Sequence, residues 1–203
     1  MAQEIHLYAG TYSERGSEGI YVFRFNGQAG TLLKTQTINT PTSPSFIALH
    51  PSGKYLYSAN RGSIASKQPD WGSVSAFEIS PDGTLRHIND QLSGDRSPCH
   101  ITINPSGNMA YLSHYVGGSI TTLPINNNGH LLPVNNTIRH TGSGADSERQ
   151  NEPHVHSVTV SPDNRFIYVA DLGTDKVTSY PIDEQGNILP IKKKEATSSP
   201  GSG

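Results

Sequence analysis

The sequence predicts an all-β protein, a β-propeller built from about four four-stranded antiparallel blades. Two sequence markers that recur with a period of about 50 residues support this prediction. The first marker is a proline followed by a turn and a tyrosine-bearing strand, and it occurs at Pro51, Pro105 and Pro162. The second marker is a glycine turn that ends in Gly-x-Leu or Gly-x-Ile, and it occurs at residues 30–32, 83–85, 129–131 and 186–188.

Each repeat contains four short strands, which we label a to d. Strand a precedes the proline, strand b follows the turn, strand c comes next, and strand d follows the glycine turn. The first repeat has strands b, c and d but no strand a, and no strand is predicted after residue 195 to replace it. We therefore predict an open ring. The predicted blades span residues 1–40, 41–95, 96–140 and 141–195, with a tail at 196–203.

The composition restricts the classes of partner and compartment. The formal net charge is −2, so no global field attracts nucleic acid or an anionic membrane. Cys99 is the only cysteine, which excludes an internal disulfide and is typical of a reducing compartment. The first residues lack the basic and apolar regions of a signal peptide, and no run of 18 apolar residues occurs. We expect a cytoplasmic protein that binds neither nucleic acid nor membrane.

Several segments resemble the seven-bladed lactonase propellers, which include the propeller-type 6-phosphogluconolactonases and the fungal muconate lactonizing enzyme. The most specific match is PHVHSV followed by YVADLGTD, at residues 153–158 and 168–175. The other matching segments are YAGTYS (8–13), PSFIALHPSGKYLYSAN (44–60) and SPCHITINPSG (97–107). The resemblance covers essentially the whole chain. It implies about four blades of an expected seven, with about three more blades following residue 203 in the family.

The resemblance also implies an activity, the hydrolysis of a small sugar lactone in carbohydrate metabolism, within the pentose phosphate pathway. Two positions depart from the family pattern. Arg61 stands where an acidic residue is frequent, and His114 stands where asparagine is frequent. Both departures bear on the candidate site.

Residues near the mouth of the central channel form that candidate site. Strand a is innermost in a propeller, so residues just before strand a and just after strand b open on one face. A strand that only packs would carry Val or Ile there, whereas this rim is polar. Asn60, His114 and Asp171 end strand b, Arg61 and Tyr115 follow them, and His100, His154 and His156 flank the start of strand a.

We interpret His154, His156 and Arg149 as catalytic residues. The two histidines lie two residues apart on a strand, so their side chains should point to the same side, and imidazole titrates near neutrality. The alternative is that both only hydrogen-bond channel water or backbone. Arg149 offers a fork that matches the anion of a phosphorylated or carboxylated lactone, the alternative being a solvated surface arginine.

Seven further residues are predicted to bind substrate: His100, His114, Tyr115, Asp171, Asn60, Arg61 and Gln150. A metal site would need a third ligand beside the two histidines, and no tight ligand motif occurs, so we predict neither a metal nor a cofactor. Cys99 is predicted to be a buried, unreactive thiol. His50 lies at the opposite end of strand a and is excluded from the site.

Three functions remain open at this point. The first is a lactone hydrolase of the 6-phosphogluconolactonase type, which the polar rim favours. The second is a propeller that binds partners or ligands without catalysis, since propellers host many unrelated functions. The third is an inactive fragment of the enzyme, which the missing blades favour. The open blade edges further predict self-association.

Overall fold

The computed structural model describes residues 4–40, 42–64 and 67–201. In this part of the chain the structure is all β, with two single-turn 3-10 segments at Leu172–Thr174 and Pro190–Lys192 and no α-helix. The all-β prediction is confirmed. No helix in the described ranges has the length and apolar character needed to cross a membrane.

Four antiparallel sheets follow one another along the chain, each built from consecutive strands. The first sheet has three strands, and the other three sheets have four strands each, as the repeat predicts. Their bounds are β1 Glu4–Gly10, β2 Gly19–Asn26 and β3 Thr31–Asn39; β4 Pro44–Leu49, β5 Tyr55–Asn60, β6 Trp71–Ile79 and β7 Leu85–Arg96; β8 Pro98–Ile103, β9 Met109–His114, β10 Ser119–Pro124 and β11 Asn136–Arg139; β12 Val155–Val160, β13 Phe166–Asp171, β14 Lys176–Pro181 and β15 Lys194–Thr197.

The sheets stand side by side around a common axis, so they are propeller blades. The inner strands β1, β4, β8 and β12 contact one another in that order. β15 pairs with β14, and the described residues include no pairing between the fourth sheet and the first, so the predicted open arc is confirmed. β15 extends to Thr197, into the segment predicted as a tail, and residues 202–203 lie outside the described ranges.

The apolar core is divided among the gaps between neighbouring blades. Ile20 and Val22 of the first blade pack with Leu56 and Phe77 of the second, and equivalent clusters fill the next two gaps. Because the second and third blades bury both of their faces, their strands carry apolar residues on both sides. This packing orients each blade with its inner strand at the axis and its upper end at the candidate site.

The two periodic sequence markers meet in space between blades. In each gap a tyrosine hydroxyl of one blade donates a hydrogen bond to a carbonyl oxygen of the glycine turn in the next blade. The pairs are Tyr8 with Gly83 at 3.0 Å, Tyr57 with Gly129 at 3.1 Å, and Tyr111 with Gly186 at 2.6 Å. The repeat therefore reflects a hydrogen bond between neighbouring blades as well as the strand pattern within each blade.

Tyr168 differs from the other two tyrosines of the proline marker. Its equivalents Tyr57 and Tyr111 are fully buried, whereas Tyr168 is 45% exposed because no described blade covers that face. The first blade shows the converse. Leu32 is 56% exposed, while its equivalent Leu85 is 4% exposed. The arc therefore ends in two open apolar faces.

Replacing Tyr111 by phenylalanine should lower the free energy of unfolding by about 1–3 kcal/mol, because the buried carbonyl of Gly186 loses its donor. Tyr168→Phe is the matched control, since this exposed hydroxyl lies on an open face, and it should change stability by less than about 0.5 kcal/mol. Urea denaturation of the chain followed by circular dichroism measures both. Equal losses in the two variants would show that the bond between blades contributes nothing.

Candidate functional site

A β-bulge begins each of the inner strands β4, β8 and β12. The register shifts between Pro44 and Phe46, between Pro98 and His100, and between Val155 and Ser157, so one extra residue stands at each point. The bulged residues are Ser45, Cys99 and His156. Bulges are frequent beside active sites, where they redirect a side chain. The simple alternation expected for His154 and His156 therefore does not hold.

The bulged residue joins its blade to the next one. The Ser45 hydroxyl donates to the Pro98 carbonyl at 2.7 Å, and the Cys99 thiol lies 3.3 Å from the His156 carbonyl. His156 occupies the same position in the fourth blade, and its side chain is exposed. It lines a cavity of about 360 Å³ on the open face of that blade, together with Asp175 and Lys176. His156 thus stands where the channel mouth meets the open face.

His154 has the geometry of a general base. Its imidazole stacks on the ring of Tyr115, with the centroids 4.4 Å apart and the planes 9° apart. Its Nδ1 lies 3.0 Å from the Tyr115 carbonyl oxygen. Because a carbonyl only accepts, Nδ1 carries the proton in the neutral ring, which leaves the Nε2 lone pair available.

Tyr115 brings the two histidines together. The ring of His156 meets that of Tyr115 edge-on, at 5.9 Å between centroids. The backbone N–H of His154 donates to Asp171 Oδ1 at 2.8 Å, which holds the start of the inner strand in place. Three of the predicted site residues, Tyr115, His154 and His156, therefore form one cluster at the channel mouth.

His100 extends this cluster towards the second blade. Its ring lies 4.2 Å from that of Phe46, and its Nδ1 is buried without a partner among the described residues. Burial lowers the pKa of His100, and the nearby His156 lowers it further. His100 is therefore neutral at physiological pH and can offer a ligand a lone pair or one N–H.

Arg61 supplies a cation near Cys99 at this end of the molecule. Its guanidinium lies 5.4 Å from the ring centroid of Tyr12 and is exposed. Burial raises the pKa of the Cys99 thiol, and hydrogen bonds from Ser113 and the charge of Arg61 offset this effect only in part. The thiol stays protonated, which disfavours a nucleophilic role.

The residues that end strand b are buried, which corrects the prediction that they contact substrate. Asn60 and His114 are fully buried and Asp171 is 2% exposed. Asn60 donates to Ser75 Oγ within its own blade at 2.9 Å. Only the next residue along the chain, such as Arg61 or Tyr115, emerges at the rim. Asn60, His114 and Asp171 therefore support the site from beneath.

His114 is held in its neutral form. The Thr121 hydroxyl donates its proton to the Ser93 carbonyl, so it must accept from His114 Nε2 at 2.9 Å. Nδ1 is then unprotonated and has no partner within the described residues. Burial lowers the pKa of His114, and the attraction of Asp95 offsets this only in part.

Acidification should destabilise the fold through His114. The unfolded histidine takes up a proton below about pH 6.5 while the folded one resists it, so stability falls as pH falls. We expect a loss on the order of 2 kcal/mol between pH 7.5 and 5, from about 1.4 kcal/mol for each pH unit below 6.5. His114→Asn should remove this loss, whereas the variant of the exposed His130, His130→Asn, should retain it. Urea denaturation at the two pH values measures the difference, and an unchanged loss in His114→Asn would refute the assignment.

Gln150 and Arg149 lie outside the histidine cluster. Gln150 is 2% exposed, and its side-chain amide donates to the Leu172 carbonyl and to Asp175 Oδ1, both at 2.7 Å. It closes the loop before β12, so the prediction that it contacts substrate is corrected. Arg149 is exposed, and its backbone N–H donates to Asp146. No contact between its guanidinium and the cluster occurs among the described residues.

His140 is a site-supporting residue that the sequence did not indicate. Its Nδ1 lies 2.7 Å from Asp171 Oδ2, and its Nε2 lies 3.1 Å from the Tyr180 hydroxyl. Burial alone would raise the pKa of Asp171, but hydrogen bonds from His140 and from the backbone of His154 outweigh it and lower that pKa. His140 follows strand d, a position that neither sequence marker singles out.

The described residues contain no group of three or more His, Cys, Asp or Glu side chains arranged to hold a metal ion. That no metal or cofactor is required stays a prediction.

Comparison with known proteins gives a consistent result. Residues 6–203 match the family model described as lactonase, 7-bladed beta-propeller. A 6-phosphogluconolactonase from Formosa agariphila is 31% identical over 201 residues, which cover 97% of this chain and 56% of the relative. A 6-phosphogluconolactonase from Bacillus subtilis is 30% identical over 174 residues, covering 85% of this chain and 48% of the relative.

Solved structures agree with these sequence relatives. A putative 6-phosphogluconolactonase from Bacteroides fragilis superposes with a TM-score of 0.86 at 35% identity, over 98% of this chain and 56% of that one. A periplasmic gluconolactonase from Pseudomonas aeruginosa also gives 0.86, at 28% identity, over 99% of this chain and 57% of that one. The chain spans about half the length of the relatives that it matches.

Proposed function

We propose that this chain, which belongs to the lactonase family of seven-bladed β-propellers, supplies the N-terminal part of a lactone hydrolase. The proposed reaction converts 6-phosphogluconolactone to 6-phosphogluconate. One observation carries the proposal. His154 stands at the channel mouth with Nδ1 committed to the Tyr115 carbonyl and Nε2 available as a base.

In the proposed mechanism His154 activates water. Nε2 takes a proton as the water oxygen attacks the lactone carbonyl carbon, and a tetrahedral oxyanion forms. A cation at the rim, a role that we assign to Arg61, stabilises that charge. The intermediate collapses by breaking the bond from the carbonyl carbon to the ring oxygen. The imidazolium then returns its proton to this oxygen, giving a free hydroxyl and a carboxylic acid, which loses its proton to water at neutral pH and becomes the carboxylate.

Hydrolysis of 6-phosphogluconolactone, corrected for spontaneous ring opening, tests the proposal. The assay compares the 203-residue chain with a longer protein in which the same blades belong to a complete propeller. We expect turnover in the longer protein, with a higher kcat/KM than for unphosphorylated gluconolactone. Spontaneous rates in both would overturn the proposal, and saturable lactone binding without turnover would favour the binding module instead.

We also propose that the isolated chain self-associates through its two open faces. Tyr168 and Val177 are 45% and 40% exposed on the fourth blade, and Leu32 is 56% exposed on the first. Contiguous apolar surface of this kind favours association in water. A cytoplasmic location stays a prediction, and one matched relative is named as periplasmic.

Sedimentation velocity over a concentration series tests the association. We expect the chain to form larger species as its concentration rises, and Val177→Lys to shift the population towards monomer. The matched control is Ile191→Lys, at an apolar residue that is 98% exposed beside the outer strand of the same blade, and it should behave like the parent. A monodisperse parent at high concentration would contradict the proposal.

A further inference from the structure

A second cavity, of about 370 Å³, lies on the same face as the candidate site but further from the axis. Three separate segments line it: residues 67–71 of the loop into β6, the end of β7, and the end of β11. Its volume falls within the roughly 300–1,000 Å³ range of small-molecule pockets. The lining includes the cations Lys67, Arg96 and Arg139 and the indole of Trp71.

The arginines keep part of their hydrogen-bonding capacity for this cavity. Arg139 uses one nitrogen, Nη1, for two contacts, with Asp95 Oδ2 at 2.6 Å and with the Gly117 carbonyl at 3.2 Å. Arg96 uses Nη2 for the Val116 carbonyl at 3.2 Å. A guanidinium has five N–H donors, so both side chains can still donate to a ligand.

The acidic residues of the lining cancel only part of the positive charge. Asp95 accepts from the Arg96 backbone at Oδ1 and from Ser119 and Arg139 at Oδ2, and its side chain is 4% exposed. Asp95, on the second blade, therefore offsets the charge of Arg139 on the third. Asp70 is the other acidic residue of the lining, so three cations exceed two carboxylates by one charge.

We propose that this cavity binds a small organic anion, a phosphate or carboxylate carried on a ring-shaped body. Arginine forks match phosphate and carboxylate geometry, and lysine adds a point charge. Trp71 offers a flat apolar surface on which a ring can stack.

The cavity is separate from the lactone site, although one short loop touches both. Tyr115 stacks on His154 at the channel mouth, while the carbonyls of Val116 and Gly117 accept from Arg96 and Arg139 on the outer side. The proposal therefore stands whether or not the protein hydrolyses a lactone.

Trp71 is the only tryptophan of the chain, so its fluorescence reports on this region. Because Trp71 also borders a neighbouring cavity lined by Ile64 and Gln91, the arginine and lysine variants assign a signal to the cationic cavity. The 203-residue chain is titrated at constant ionic strength with glucose 6-phosphate, inorganic phosphate and glucose. We expect a saturable change with glucose 6-phosphate, weaker binding of phosphate, and none of glucose. Arg96→Gln should weaken binding at least tenfold. Arg86→Gln, at the opposite end of β7 in an exposed pair with Glu78, is the matched control and should bind like the parent.

Arg139→Gln should abolish binding. Circular dichroism shows whether this variant is folded. If it is not, Arg96→Gln and Lys67→Gln decide the matter, since both side chains belong to exposed residues. The proposal is overturned if no saturable change occurs, or if Arg96→Gln and Lys67→Gln both bind like Arg86→Gln. Equal affinity for phosphate and glucose 6-phosphate would overturn the part assigned to Trp71.

Discussion

Replacing His154 by alanine in a complete propeller that contains these blades should lower lactone turnover by about a hundredfold or more, the usual scale for a lost general base. The reason is geometric. The Tyr115 carbonyl fixes the proton on Nδ1, and the stacked ring holds Nε2 at the channel mouth. Stability should change by less than about 1 kcal/mol, because the half-buried ring fills no core cavity.

His156→Ala tests whether turnover depends on His154 in particular or on any histidine of the cluster. His156 is exposed and meets Tyr115 only edge-on, so its loss should reduce turnover less than the loss of His154. The internal control is His50→Ala, at the other end of the inner strand β4. There the ring bonds Ser52 Oγ and the Gly107 carbonyl, so this variant should keep its turnover and lose a little stability.

The assay is hydrolysis corrected for spontaneous ring opening, with substrate concentration varied to separate kcat from KM. A His50 variant that loses as much turnover as His154→Ala would show that the two faces are assigned wrongly. Full activity in all three variants would place the chemistry in blades that this chain does not contain.

The periodic residues predicted the fold well because each blade packs against its neighbours in the same way. The proline turns and glycine turns placed every strand that borders the site. The turn after strand a shows the physical basis of the proline marker, because one residue of this turn adopts a left-handed backbone conformation. Gly53 and Gly107 have φ of 70° and 75° there, and the fourth repeat uses Asn164, at φ 56°, another residue that tolerates this conformation.

The burial of each rim residue could not be predicted from the sequence, because one residue can be buried while the next along the chain is accessible. His114 and Tyr115 are consecutive and both polar, yet one is fully buried and the other reaches the channel mouth. The bulge at His156 likewise has no residue signature, since Ser45 and Cys99 occupy the same position in other blades. Gln150 lies in a charged loop, which suggested that it binds a ligand. Its side-chain amide instead holds that loop together through hydrogen bonds.

Replacing Asp171 by alanine should destabilise the chain by about 3–5 kcal/mol, since each buried donor that loses its acceptor costs about 1–3 kcal/mol. Its carboxylate accepts from His140, from the backbone of His154 and from the backbone of Gly173, at 2.7, 2.8 and 3.0 Å. Alanine leaves all three donors without their acceptor. Urea denaturation of the 203-residue chain measures the loss.

Asp171→Asn is the comparison that separates charge from shape. The amide keeps one oxygen for the two backbone donors, and its NH2 can donate to His140 in the other tautomer, so the loss should be about 1 kcal/mol. The pKa of Asp171 is lowered in the folded state, so its contribution is present above the unfolded pKa of about 4 and is lost as pH falls below it. Asp171→Asn should therefore remove one component of acid unfolding below pH 4 and leave the His114 component above pH 5 in place. If Asp171→Ala were as stable as the parent, the hydrogen bond from the His154 backbone to Asp171 would not hold the start of β12 in place, and Asp171 would not support the site.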